Sequence, residues 1–262
     1  MSDTVRFEVH DRIGLLTLNR PDKLNALIPE MAEGFMEALA KSAEPGIKAL
    51  VVRGNGRAFC AGGDIGWMLK GLQEGRIEEM KVLLTLGAKV SHGLKTLPKP
   101  VIAVIQGPAA GAGMSLALSA DIRIATPDAA FSMAFVKIGL HPDWGGSVML
   151  NMLVNPAIAL ELMFNGEAID AKRAYDLGLV NQIVDGEVLE DVLRFMSVRL
   201  SHGPGEAFAR IKQSSLRNAG HTSESLLALL EEEGRQMAAT MQSPDAREGL
   251  MAFLEKRIPK FA

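Results

Sequence analysis

Apolar and polar positions alternate in short bursts along the first half of the chain and then settle into a helical period. Val5, Phe7 and Val9 alternate with polar neighbours, and Ile13 to Leu18 is almost continuously apolar, which predicts two strands joined around Asp11-Arg12. Pro21 ends the pair. A helix is expected from Pro29 to about Ala43, with Met31, Phe35, Met36, Leu39 and Ala40 on one face and Pro45-Gly46 closing it. Ile47 to Val52 fits a buried strand, and Gly54-Asn55-Gly56 a turn. A long helix follows from about Ile77 to Leu97 and stops at Pro98-Lys99-Pro100. Next come a strand (Val101–Ile105), a glycine-rich turn (Gly107–Gly113), a helix through Ser119 and a strand (Asp121–Ala125).

This order of strand, turn, helix and strand fits stacked ββα turns better than a doubly wound sheet, because pairs of short strands separate the helices. No internal sequence repeat accompanies it. After about Leu193 the pattern is helical throughout, over residues 195–200, 205–217, 223–241 and 244–256. Leu226, Leu227, Leu230 and Met237 form an apolar stripe that must pack either on the chain's own core or on a neighbouring subunit. The expected division is a core over residues 1–194 and a helical C-terminal region over residues 195–262.

Composition narrows the function. The 262 residues carry a net charge of −3, with basic residues scattered among acidic ones, so no nucleic-acid footprint is present. A single cysteine, Cys60, excludes an intramolecular disulfide framework and a cysteine-rich zinc site, and five dispersed histidines offer no metal spacing. The N-terminal MSDTVRFEVHDR has no apolar h-region, and the uncharged run Val101 to Ala120 is broken at Gln106-Gly107-Pro108. These features point to a cytoplasmic protein with no membrane partner.

Two glycine-rich segments hold the candidate chemistry: Phe59-Cys60-Ala61-Gly62-Gly63-Asp64 and Gly107-x3-Gly111-Ala112-Gly113. Neither is followed by Gly-Lys-Ser/Thr, and neither completes a dinucleotide fingerprint. They serve as tight turns, or they present backbone N–H groups that together hold a developing oxyanion.

Taken with Lys99-Pro100-Val101-Ile102-Ala103-Val104, Ala120-Asp121-Ile122-Arg123-Ile124-Ala125, Asn19-Arg20-Pro21-x2-Leu24-Asn25-Ala26-Leu27 and Ala174-x2-Leu177-Gly178-Leu179-Val180, these segments resemble the crotonase, or enoyl-CoA hydratase/isomerase, superfamily along essentially the whole chain. The resemblance implies an α/β spiral of ββα units with a C-terminal oligomerisation region, assembled as a homotrimer or a dimer of trimers. It also implies an acyl-CoA thioester substrate and no cofactor beyond the coenzyme A of that substrate. It places the oxyanion donors at the N–H groups of Ala61 and Ala112. Lys23, Leu24, Ala26, Ala61, Gly62, Asp64 and Ile65 would face the CoA, and Phe253 and Lys256 would reach a neighbouring subunit's nucleotide.

Departures from the family pattern decide the expected reaction. Where family hydratases place two glutamates, this chain has Ser115 and Phe135, neither of which moves a proton to or from water. A carboxylate returns in Gly139-Leu140-His141-Pro142-Asp143-Trp144-Gly145-Gly146, which is similar to the epoxyphenylacetyl-CoA and enoyl-CoA isomerases. By that likeness Asp143 is the proton carrier of a double-bond shift; by turn chemistry alone it caps the turn or the helix near Gly145. Phe135, His141 and Trp144 would line the acyl pocket, softened by Met114, Met133 and Met149. Three alternatives remain open: hydration by atypical residues, dehalogenase-like hydrolysis pairing His92 with Asp143, and a non-catalytic acyl-CoA binding subunit.

Overall fold

A tight hairpin begins the chain in the computed structural model, which describes residues 3–187 and 189–261. Strands β1 (Val5–His10) and β2 (Ile13–Leu18) pair antiparallel across Asp11 and Arg12, at φ 46° and 69°. Two left-handed residues give the turn the twist of its flanking strands. Helix α1 (Pro29–Ser42) starts on Pro29, where a missing N–H leaves no helical bond unmade. It buries Met31, Ala32, Phe35, Ala38 and Leu39, whereas Ala40, expected on that face, is exposed because the 100° step carries it past the contact.

Strand β3 (Ala49–Gly54) leads into α2 (Ile65–Gln73) and α3 (Ile77–Thr96). The sequence pattern gave no sign of α2, whose nine residues include Gly66 and Gly71; its start is fixed by the Asp64 carboxylate accepting from Trp67 N–H at 3.1 Å. Then come β4 (Val101–Ile105), β5 (Ala109–Ala110), α4 (Ala112–Leu118), β6 (Ile122–Ala125) and β7 (Ala130–Ser132). The order continues with α5 (Gly146–Leu153), α6 (Pro156–Asn165), β8 (Ile169–Asp170), α7 (Ala171–Asp176) and β9 (Gln182–Ile183). Helices α8 (Leu189–Ser201), α9 (Gly205–Asn218), α10 (Ser223–Met241) and α11 (Pro244–Glu255) complete the chain.

The main sheet has the order β1-β2-β3-β4-β6-β9 and is parallel after the first hairpin; β5, β7 and β8 form a small second sheet. Both faces of the main sheet are covered, as parallel strands require. Leu16, Leu50, Val52 and Ala103 share a core with α1 and α3, while Ile13, Val51, Val104 and Ile124 on the opposite face pack with Leu189 and Leu193 of α8. The C-terminal helices fasten to this core through polar ties as well. Lys212 of α9 pairs with Asp121 at 2.7 Å, and Asp121 in turn accepts from Val101 N–H.

Candidate active site

The two glycine turns meet backbone to backbone. Ala110 N–H donates to Cys60 O at 2.9 Å, and the Phe59 and Cys60 amides both donate to Pro108 O at 3.1 Å. A Cβ on Gly113 would lie 2.1 Å from Cys60 O, and one on Gly62 would lie 2.7 Å from Ala110 O. Side chains at either position would hold the turns apart.

Which amides remain free corrects one sequence expectation. Ala61 N–H donates to Leu24 O at 2.9 Å, so it is not an available donor. Leu27 N–H donates to Gly62 O and Asp64 N–H to Leu27 O, so the alternation of the parallel bridge turns the intervening Gly63 N–H to the opposite side. The amides of Gly63 and of Ala112, the first residue of α4, have no acceptor among the described residues, and both residues line the same cavity.

Residues 20–27 brace this arrangement. Asn25 is fully buried; its Nδ2 donates to the carbonyls of Asn55, Ala58 and Phe59 at 2.9–3.1 Å, and its Oδ1 accepts from Arg20 N–H. The Arg20 guanidinium donates to Ala26 O and pairs with Asp64 at 3.1 Å. With one oxygen on Trp67 N–H and the other on Arg20, Asp64 is a structural group rather than a ligand-facing one.

The cavity has a volume of about 310 Å³. One wall is the pair of glycine turns with Ala61, Gly62 and Ile65; another is Phe135 and Ile138; a third comes from Met68, Met80, Leu83 and Leu84. Met237 and Met241 of α10 and Phe253 of α11 complete it. Only Asp143 and Lys137 among the lining residues are ionisable, and Lys137 is paired with Glu167 at 2.9 Å.

Asp143 is 7% exposed, and its Oδ1 accepts no hydrogen bond from the described residues. Its carboxylate does not cap α5; that helix starts on Gly145 with no side-chain cap from its own residue, and its amides are held by Glu233 instead. Glu233, 4% exposed on α10, accepts from Gly145 N–H at 2.6 Å, Ser147 N–H and Oγ–H at 2.7 Å each, and Val148 N–H at 3.3 Å. Burial, and after it the Glu233 charge, hold the Asp143 carboxyl well above the usual carboxylate range. Burial also pushes Glu233 up, while Ser147 and the helix amides favour its charged form.

Trp144 follows at φ 53°, a conformation a bulky residue keeps only under constraint. The constraint is packing: a Cβ on Gly87 of α3 would meet the indole Nε1 at 2.3 Å, and Phe35 meets the ring edge-on at 6.3 Å. Ser91 Oγ–H donates to Trp144 O.

Of the residues expected at the site, the structure brings together Ala61, Gly62, Ile65, Ala112, Phe135, Asp143, Trp144 and Phe253. Phe253, expected to reach a neighbour, lines this chain's own cavity. Lys23, Leu24, Ala26, Asp64 and Lys256 lie outside the wall. His141 does too; its N–H donates to Thr240 Oγ1 and its ring sits on Pro142 O. Met114, Met133 and Met149 are core residues, and the cavity's methionines are Met68, Met80, Met237 and Met241. His92 turns to Ser223, with Nε2 3.0 Å from both its O and Oγ, and takes no part in the cavity, which removes the pairing a hydrolytic dehalogenation needs. Sequence reasoning missed Glu233, although it stands in register with Leu226, Leu230, Met237 and Met241 on a buried stripe, and a carboxylate at such a position is itself a signal. No cluster of His, Cys, Asp and Glu able to hold a metal ion occurs among the described residues, and no described helix is long and apolar enough to cross a membrane.

A spiral α/β core with paired glycine turns over an apolar cavity defines an acyl-CoA enzyme of the crotonase class. The chain belongs to the enoyl-CoA hydratase/isomerase family, whose sequence pattern matches residues 8–262. It is 40% identical to a probable enoyl-CoA hydratase of Rhodobacter capsulatus, over 98% of this chain and 97% of that one. It is 36% identical to the 1,2-epoxyphenylacetyl-CoA isomerase of Escherichia coli, over 100% and 99%. A crystal structure of an enoyl-CoA hydratase from Mycobacterium avium subsp. paratuberculosis superposes with a TM-score of 0.87 at 32% identity, covering 99% of this chain and 98% of the other.

Proposed function

We propose that this protein shifts the double bond of an enoyl-CoA, with Asp143 as the single proton carrier and the Gly63 and Ala112 amides as oxyanion donors. The observation that carries this reading is the cavity's one carboxyl group, buried, with Oδ1 unpartnered, beside two amides without acceptors. The Asp143 carboxylate takes a proton from Cα of a 3-enoyl thioester. The electron pair spreads over the dienolate, whose oxygen is held by the two N–H groups. The same carboxyl then returns its proton to Cγ, leaving a 2-enoyl thioester. A raised pKa makes the anion a stronger base toward carbon.

Hydration requires a second group to handle water, and the two positions that hold glutamates in family hydratases offer none here. Ser115 is buried with its hydroxyl on Gly111 O, and Phe135 presents an aromatic ring to the cavity. The exposed apolar side chains of Met251, Phe253 and Leu254 on α11, followed by Ile258, support assembly with further copies through this end of the chain.

Purified protein is incubated with 2-enoyl- and 3-enoyl-CoA of several chain lengths and the products are read by mass spectrometry. Unchanged mass with shifted retention is expected; addition of one water to the 2-enoyl substrate would overturn the reading. Asp143→Asn is expected to lower kcat by about 10²–10⁴-fold with acyl-CoA affinity nearly intact. Full turnover in that variant would remove Asp143 from the chemistry.

A further inference from the structure

Glu233 is a buried carboxylate on the cavity side of the C-terminal helices, remote in sequence from every motif that marks the family likeness. We propose that Glu233 is the positioning residue of the proton carrier, clamping the turn after Asp143 to α10 so that the Asp143 carboxyl is held at the cavity wall. This rests on the reading of Asp143 given above.

Four donors converge on one carboxylate: the amides of Gly145, Ser147 and Val148 and the Ser147 hydroxyl. Three of them are the N-terminal amides of α5 and its preceding residue, groups the helix itself leaves unpaired. Gly145 is the second residue after Asp143, and the Asp143 carbonyl accepts from Gly146 N–H at 2.9 Å, so the clamp is continuous with the aspartate's own backbone. From the other side Ser91 of α3 holds the Trp144 carbonyl. Asp143 thus sits on a loop pinned between α3 and α10, and Glu233 supplies the α10 pin.

The clamp also has an electrical consequence. Its anion favours the protonated form of Asp143, adding to the effect of burial. Few other charges face this point. Lys137 is tied to Glu167, His141 turns to Pro142 O, α3 presents Ser91 and Gly87, α4 presents Ser115, and α1 presents Phe35.

Glu233→Gln keeps the size of the side chain and removes the charge. In a variant with wild-type circular dichroism, kcat is expected to fall about tenfold to a hundredfold with KM unchanged, because the loop loses its registration. Activity needs ionised Asp143 and therefore rises with pH. Removing a nearby negative charge favours that ionised form, so the acid limb of kcat moves to lower pH, and Glu233→Asp restores its position.

The infrared band of the protonated Asp143 carboxyl, identified by its loss in Asp143→Asn, reports the same shift without turnover. Ser147→Ala, which removes one donor at the helix start and leaves the Glu233 charge in place, is expected to lower kcat by a smaller factor with KM unchanged, and stands in should the glutamine variant fail to fold. A wild-type kcat, acid limb and infrared titration in folded Glu233→Gln, or a wild-type kcat in Ser147→Ala where that variant must stand in, would overturn the proposal. If instead Asp143→Asn turns over normally while the infrared titration still shifts, the catalytic reading fails and the positioning role stands.

Discussion

Gly113→Ala tests whether the contact of the two glycine turns sets the rate. The added Cβ would lie 2.1 Å from Cys60 O, 2.7 Å from Cys60 C and 2.8 Å from Cys60 Cβ, against a floor of 3.0 Å for real contacts of this kind. Two of these neighbours are backbone atoms, so no rotamer change relieves the clash. The turns must part by about 1 Å, at the expense of the Ala110-to-Cys60 hydrogen bond that ties them. Overpacking of this sort costs roughly 1–3 kcal/mol of stability, which a protein of this size survives. The larger effect is expected on chemistry, since the proposed donors Gly63 and Ala112 stand on opposite turns. A displacement of about 1 Å between catalytic groups lowers rate on the order of 100-fold, or about 2.7 kcal/mol of transition-state stabilisation. The assay is kcat for interconversion of 2-enoyl- and 3-enoyl-CoA, beside a thermal melt. Gly46→Ala, where an added Cβ meets nothing within 4 Å, is the silent control. A folded Gly113→Ala enzyme with wild-type kcat would refute the pairing of the two donors across the turns.

Two further outcomes concern the scaffold beneath those turns. Asn25→Ala strips hydrogen bonds from the carbonyls of Asn55, Ala58 and Phe59 and places alanine at φ 56°, so a loss of about 3 kcal/mol is expected, seen as a drop of roughly 5–10 °C in melting temperature; an unchanged melt would show that the bracing is dispensable. Cys60 is fully buried with its thiol pushed up to about 12, so a disulfide reagent at pH 8 is expected to label the native protein only as fast as it unfolds, then one thiol per chain in denaturant; rapid stoichiometric labelling of the native state would contradict the packing around it.

Much of the scaffold was legible because its signals are local. Prolines and glycines at Pro29, Pro45-Gly46 and Pro98-Lys99-Pro100 bracket α1 and α3 closely, and apolar runs mark β2, β3 and β4. Helix α2 leaves little local signal because its buried contacts are few, Met68 and Gly71, and its cap, Asp64, is also the last residue of the glycine motif before it. At the site, Asp143 and Ala112 were visible in motifs. The exchange of Ala61 for Gly63 was not, since it depends on the carbonyl of Leu24, at φ 51°, reaching across to the Ala61 amide. The partner of Asp143 was hidden for a similar reason: Glu233 and Gly145 are 88 residues apart and meet only after α10 has packed on α3 and α5.

That separation bears on the order in which the enzyme is made. A growing chain presents both glycine turns, and can lock them together, long before Glu233 has been synthesised. Until α10 and α11 arrive, the loop bearing Asp143 has no anchor on one side, and the cavity lacks Met237, Met241 and Phe253. Synthesis through α10 and α11 is therefore what completes the cavity wall and the hold on that loop. A chain cut short before residue 233 would lack the grip of Glu233 on the loop that bears Asp143. On the reading proposed above, premature termination there yields protein slow to act on its thioester, and activity reports a chain made through α10 and α11.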